Sequence, residues 1–507
     1  MMIQRNSASA RRSVRAWRGL ALGGALGVTA LLMSGQTAQA EWRRAETANF
    51  LVYGEGSEND LRRHAERLER FDALLRRQFG LQPVEGVRKL PVYLVYTRGD
   101  LQRVNPNLPE GAGGFYSASE TDVYSVLNRR GGDDILFHEY AHHFMFQNFP
   151  GGYPGWFTEG FAEFFMTASV DNPNRVTVGY FNPGRLQTLN EIEWIPLEQL
   201  LTSRPRTFED RRSRWAFYAQ SWLLTHYMFM DAERRRGLDA YLTATGQGAS
   251  PLEALQTHLG HTPDSLETAL KTYLRGSMNY AELRMDDLRP AISFQTLPAS
   301  ADRMLLDSLN IRYPKAEADA QTLLQKVRSD AARFPGDRLA LVTLGRAELT
   351  WGDAAAGESA LMQALSIAPN DAEALLLLAR ARIKAGDGAP DTRARTYAEA
   401  QGYLARALQT EPTDYRIYLA LARIRRIADS YPNDNDLQTW RLAVAYAPQV
   451  MSARAQAAEA LLKAGQSEEA AIMLAPVANN PHGGEHVERA RALLDQIRTP
   501  EDETASD

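Results

Sequence analysis

Between Pro335 and Pro448 the chain repeats itself, and that periodicity leaves few folds open to its C-terminal part. The segments FPGD, APND, EPTD and APQV place Pro335, Pro369, Pro412 and Pro448 34, 43 and 36 residues apart. Ten positions after each proline stands a small residue (Gly345, Ala379, Ala422, Ala458). Seven positions further come Gly352, Gly386 and Gly465, with Asp429 the exception. A unit of about 34 residues is too short to bury a core alone, so such units stack on one another into a continuous core. The longer middle interval is assigned to an insertion around GDGAPDTRART. With the turn to alanine and leucine after Pro298, residues 299–496 are expected to form an all-α solenoid.

A second feature constrains chemistry rather than architecture. Residues 136–143 read LFHEYAHH. On a helix, residues four apart share a face one turn apart, so His138 and His142 can aim ring nitrogens at one point, half of a tetrahedral metal site. Glu139 lies about 100° further round, placed to reach a water in an open coordination position. The segment carries helix signals. Asp133 or Asp134 can cap it after Gly131 and Gly132, Ile135, Leu136, Ala141 and Met145 supply apolar positions, and Pro150 with Gly151 stops it. The rival is a helix that happens to carry histidines in a chain of 507 residues with 9 of them.

A catalytic zinc needs a third protein ligand. After the turn NFPGGYPG comes WFTEGFAEFF, where Pro154 suits the first turn of a helix and Glu159 and Glu163 fall four apart on one face. Glu159 is the candidate ligand.

HEYAH followed by WFTEGFAEF resembles the gluzincin metallopeptidases, whose aminopeptidase branch carries HExxH and a downstream NEGFA-type segment. The resemblance implies that Glu159, with 16 residues between it and His142, binds zinc. It leaves Glu163 as a carboxylate that accepts the free N–H of a zinc-bound histidine, with an exchange of the two roles as the alternative. FYAQSWLLTHY, residues 217–227, is similar to the family's helix that begins with a tyrosine donating its hydroxyl to the oxyanion. Tyr218 is the matching position; the other reading packs it in the core with Phe217 and Trp222. His143 and His226 are expected to be structural. The family's Gly-x-Met-Glu-Asn segment is missing, GAGGFYSASETDVYSVL standing in its place, so aminopeptidase action is not carried over. The stretch Phe115–Leu127 is expected as an edge strand beside which an extended peptide can lie. The implied reaction is metal-assisted peptide hydrolysis with one Zn2+ per chain, Glu139 as general base and Tyr218 as oxyanion donor. The C-terminal period in turn resembles tetratricopeptide repeats, which implies a surface for a peptide or protein partner; a purely structural cap is the alternative.

The first forty residues read as an export signal: an arginine-rich start, an apolar run from Leu20 to Met33 and Ala38-Gln39-Ala40 as a cleavage site. Cleavage after Ala40 and a periplasmic location follow as expectations, with a retained N-terminal anchor as the rival. The absence of cysteine excludes disulfides, thiolate ligands and cysteine nucleophiles. A formal charge of -5 with both signs mixed leaves no footprint for nucleic acid, and no later apolar stretch has membrane-spanning length.

The expected fold class is α+β. Residues 41–130 carry a small mixed sheet, with TANFLVYG and KLPVYLVYT as strands and ENDLRRHAERLERFDALLRRQFG as an amphipathic helix. Residues 131–298 are the helical zinc-binding part, 299–496 the repeats, and 497–507 an acidic, disordered tail. The expected function is an exported zinc metallopeptidase. The rivals are a scaffold whose metal site is inactive and whose repeats bind partners, and a zinc hydrolase acting on a non-peptide bond.

Overall fold

A computed structural model describes residues 41–82, 86–109, 111–132, 134–172, 174–285, 288–480, 483–484 and 486–498. The expected signal, Asp133 and the tail beyond Arg498 lie outside them. The described residues form one compact unit, mostly helical with a small mixed sheet, as an α+β reading requires.

The sheet is built from β1 (Trp42–Glu46), β2 (Phe50–Glu55), β3 (Leu90–Val95), β4 (Gly114–Ala118), β5 (Val123–Asn128) and a late strand, Ser293–Thr296, in the order β4-β5-β3-β2-β1-late strand. β2, β3 and β5 run parallel, and the outer pairings are antiparallel. All six residues of β3, LPVYLV, are buried, the continuous apolar run expected of a central strand covered on both faces. Helix α1 (Glu58–Phe79) makes the crossover from β2 to β3. Leu61, Ala65, Leu68, Phe71, Leu74 and Leu75 form its buried stripe, Ser57 caps its start, and Gly80 at φ +66 ends it. Helix α2 (Arg98–Val104) follows β3.

The expected edge strand Phe115–Leu127 is instead a hairpin: Ser119–Asp122 turns the chain, and only β4 stands at the edge. The turn residues Ser, Glu, Thr and Asp close on themselves, the Ser119 N–H donating to the Asp122 carbonyl. The late strand carried no sequence signal, because SFQT, largely exposed, has no apolar alternation.

Helices α3 (Asp134–Asn148) and α4 (Gly155–Phe165) lie against this layer and are buried on nearly every face. Phe137 stacks on Phe71 at 4.2 Å, and the Tyr140 hydroxyl donates to Asp72 at 2.6 Å, pinning α3 to α1. Strand β6 (Val176–Val178) and helices α5 (Pro183–Glu191), α6 (Leu197–Thr202), α7 (Arg211–Phe229), α8 (Ala232–Gly246), α9 (Pro251–Leu259) and α10 (Pro263–Arg275) complete this half. β7 (Ala281–Leu283) pairs with β6, and the late strand of the main sheet is β8.

Helix α11 (Ala301–Asn310) joins the two halves, Arg103 of α2 donating to its Asp307 at 2.7 Å. The array then runs α12 (Glu317–Ala331), α13 (Arg338–Trp351), α14 (Ala354–Ile367), α15 (Ala372–Gly388), α16 (Arg393–Thr410), α17 (Tyr415–Arg425), α18 (Asp434–Tyr446), α19 (Met451–Lys463), α20 (Ser467–Ala478) and α21 (His486–Arg498). Each repeated proline stands in the link before the first helix of a pair. The small register does what the period implied: a Cβ on Gly345 would meet Leu361 of α14 at 2.6 Å, and one on Gly386 would meet Thr396 of α16 at 2.5 Å. The inserted residues lengthen helices as well as a loop, since α15 and α16 have 17 and 18 residues where α13 and α14 have 14 each. Helix α21 also continues to Arg498, two residues into the expected tail. One apolar core runs from α1, α3, α4 and α7 through α17 to α21 without a break. Among the described residues no helix is long and apolar enough to cross a membrane.

Candidate metal centre

The centre begins with a glycine. A Cβ on Gly160 would collide with the Thr225 hydroxyl and stand 2.5 Å from the Ser221 carbonyl, so α4 and α7 meet here at a distance only glycine permits. Tyr218, Ser221 and Thr225 share one face of α7. The contact therefore turns Tyr218 toward the face of α4 that carries Glu159 and Glu163.

Across from them, α3 presents His138 and His142. The two Nε2 atoms are 3.2 Å apart, and Glu159 Oε2 lies 3.4 Å from His142 Nε2 and 3.7 Å from His138 Nε2. A tetrahedral ion with bonds of about 2.1 Å needs ligand separations of about 3.4 Å. Three donor atoms converging within 4.8 Å, two imidazole and one carboxylate, thus fit a single zinc-sized ion. His142, Glu159 and Glu163 are buried, while His138 and Glu139 are half-buried, so the cluster opens on the Glu139 side.

The electrostatics follow from burial. His138 is pulled down to about 4 by burial, with His142 adding to the effect, and is neutral at neutral pH. Burial works against a charged His142 too, but the Glu159 carboxylate outweighs it and raises that group. Glu139 is pushed up to about 7, again mainly by burial, with Glu159 assisting and His142 and the Tyr116 backbone N–H opposing. The Tyr218 hydroxyl is raised, first by the Glu159 carboxylate and then by burial, which sets it beside the cluster. Tyr218 is half-buried whereas Phe217 and Trp222 are fully covered, so its environment is the site rather than the core.

Glu163 Oε1 lies 3.6 Å from His138 Nδ1, and both its oxygens are taken by Arg185 of α5 at 2.8 and 2.5 Å. The same guanidinium sits 5.3 Å from the Tyr218 ring centre. Arg185 is the residue that sequence reasoning missed. A buried glutamate in the apolar helix GWFTEGFAEFF needs a cationic partner, but no spacing rule marks which arginine supplies it. His143 and His226 are structural as expected: His143 Nδ1 meets the Tyr116 hydroxyl at 3.0 Å, and His226 bridges Tyr273 and the Gly179 carbonyl at 2.8 and 2.9 Å.

A cleft of about 1280 Å³ between α1, the sheet and the array, lined by Glu69, Arg88, Glu373 and Arg416 among others, contains none of the cluster's residues. Its cations and carboxylates are largely paired with one another, as in Lys89–Glu46 and Arg76–Asp72, both at 2.7 Å.

A family model described as "Protein of unknown function (DUF1570)" matches residues 136–252, the span that holds the whole cluster. No curated protein matches the chain. Among solved structures, the crystal structure of TTC0263, a thermophilic TPR protein in Thermus thermophilus, is similar over 39% of this chain and 99% of that one, at 17% identity and a TM-score of 0.32.

Proposed function

We propose that the chain is an exported zinc-dependent metallopeptidase of gluzincin type, with a repeat domain that serves protein or peptide binding. The observation that carries this reading is the convergence of His138, His142 and Glu159 at 3.2–3.7 Å around one point, with Glu139 on its open side. Those three residues would hold the ion. A zinc ion bound there would supply Lewis acidity to a carbonyl oxygen and to the attacking water.

The chain's own groups do the rest. Glu139 takes the proton of the water at a carboxylate oxygen and passes it to the leaving amine nitrogen. Tyr218 donates its O–H to the oxyanion. Glu163, held by Arg185, orients His138 from behind. The outer edge of β4, which ends the sheet on this side, supports an extended peptide by strand addition. Export rests on the residue pattern of positions 1–40, and no described helix is of membrane-spanning character.

Elemental analysis of the purified chain beside Glu139→Gln and His142→Ala, with turnover of fluorescein-labelled casein, tests the reading. The expected result is about one zinc per chain, kept by Glu139→Gln and lost by His142→Ala, and a loss of turnover in Glu139→Gln of about 10⁴-fold. No metal in any of the three after exposure to zinc would end the proposal. Metal without hydrolysis of peptide bonds would move the reading to a scaffold or to a hydrolase of another bond.

A further inference from the structure

The turn between β4 and β5 is gripped by the repeat array. Tyr415 donates its hydroxyl to the Ser119 carbonyl at 2.5 Å, Arg380 reaches the Glu120 carbonyl at 2.8 Å, and Arg416 the Thr121 carbonyl at 3.3 Å. Gln456 donates to the Glu120 side chain at 2.7 Å. These donors stand on α15, α17 and α19, the first helices of three successive pairs, so one side of the array converges on one four-residue turn. Asp122 closes the grip, taking Arg88 at 2.6 Å and Arg312. Behind them Arg416 is fixed by Asp414 at 2.6 Å and by Glu373 at 2.8 Å, and Glu373 also takes Arg346 of α13.

The strand leading into this turn is β4, and its Tyr116 ties it to α3, the helix that carries Glu139: the Tyr116 hydroxyl meets His143 at 3.0 Å. The array therefore holds the far end of a strand whose near end is fastened to the helix of the proposed general base.

We propose that the repeat array clasps the β4–β5 turn and so sets the position of β4 against Glu139, which makes Arg380, Tyr415 and Gln456 positioning residues; the catalytic half of this rests on the hydrolysis proposed above. The side of the array that grips the turn is occupied by the chain's own hairpin, so an external peptide reaches it only by displacing Ser119–Asp122.

The test uses the full chain carrying Tyr415→Phe with Arg380→Met, changes that remove donors and keep most of the bulk. Three quantities are read: hydrogen–deuterium exchange over residues 114–128, kcat and KM on labelled casein, and metal content. Exchange at 114–122 should rise by roughly 10-fold or more, and kcat should fall roughly 10- to 100-fold, the range in which a small misplacement of reacting groups is felt. KM and metal content should stay within about twofold, because neither ligands nor fold are touched. If the double variant does not fold, Gln456→Ala, which removes only the half-buried donor to Glu120, is read the same way with an effect of about threefold. Unchanged exchange overturns the clasp. Faster exchange with unchanged kcat overturns the positioning role. A wild-type chain without turnover overturns the proposed hydrolysis and the catalytic half together, and the exchange result still decides the clasp.

Discussion

The His138–His142–Glu159 cluster and the β4–β5 turn are both polar assemblies, but they are put together in opposite ways. The cluster comes from neighbouring chain, residues 138 to 159, on two helices that follow one another. The turn collects its partners from residues 88, 312, 380, 415, 416 and 456. At the cluster, three donor atoms converge on one point beside the half-buried Glu139; at the turn, side-chain donors are spent on carbonyls and on Asp122. The difference teaches where each kind of damage should appear: in turnover with stability kept at the first, and at the second in stability where the buried Asp122 is lost and in turnover, through β4, where only the array's donors are removed.

The sharpest way to break that contrast is Asp122→Asn. It leaves Arg88 and Arg312 without their shared carboxylate in a buried setting, a loss of about 3–5 kcal/mol, read from urea unfolding at neutral pH. Metal content of the folded fraction should be unchanged, and a variant that instead lost metal at wild-type stability would merge the two regions into one. The same residue sets a pH dependence. Burial raises Asp122, but Arg312, Arg88 and Arg416 hold it well below the usual carboxylate range. Glu373 and Asp414, lowered by the same arginines, complete the group, with Arg346, Arg380 and Tyr415 facing it. A depressed folded-state value gives stability that is present above the unfolded carboxylate range near pH 4 and is lost as pH falls further. The wild-type unfolding midpoint should therefore drop below about pH 4, and less steeply in Asp122→Asn.

The next effect belongs to the cluster. Tyr218→Phe should lower kcat by roughly 10²-fold, the scale of one oxyanion donor, with metal content and unfolding midpoint unchanged. An unfolded variant would return Tyr218 to the core. The smallest is Arg185→Gln, which frees Glu163 from its bidentate partner. Zinc affinity measured against a chelator should weaken by roughly 10- to 100-fold. An equal loss of affinity in Glu163→Ala and Glu159→Ala would hand Glu163 a share of the ligand role.

How much of this was legible depended on range. HEYAH and TEGFAEF could be placed on helices because caps, proline stops and four-residue spacing are local, and the structure brings His138, His142 and Glu159 together as that spacing implied. The repeats were legible for the same reason: Gly345 and Gly386 mark close helix contacts that recur at a period. Arg185 was not legible, because nothing near RLQTL says which buried carboxylate it meets. β8 escaped because an exposed SFQT carries no alternation, and the hairpin because the β-forming runs Phe115–Tyr116 and Val123–Leu127 on either side were read through the turn residues SASETD as one strand. The array's hold on the turn was beyond reach altogether, since it pairs residues from distant parts of the chain with no spacing to betray them.

That distance has a consequence in time. Glu120 meets Gln456 336 positions later, so on a chain emerging from its N-terminus the histidine helix exists long before the residues that seat the strand beside it. Contacts of such separation form late in folding. The cluster can gather its three donors early, yet β4 is seated only when the last helix pairs have docked. If the proposed function holds, a half-made or clipped chain would gather the cluster before β4 is seated, a delay that would keep the proposed hydrolysis for the completed fold.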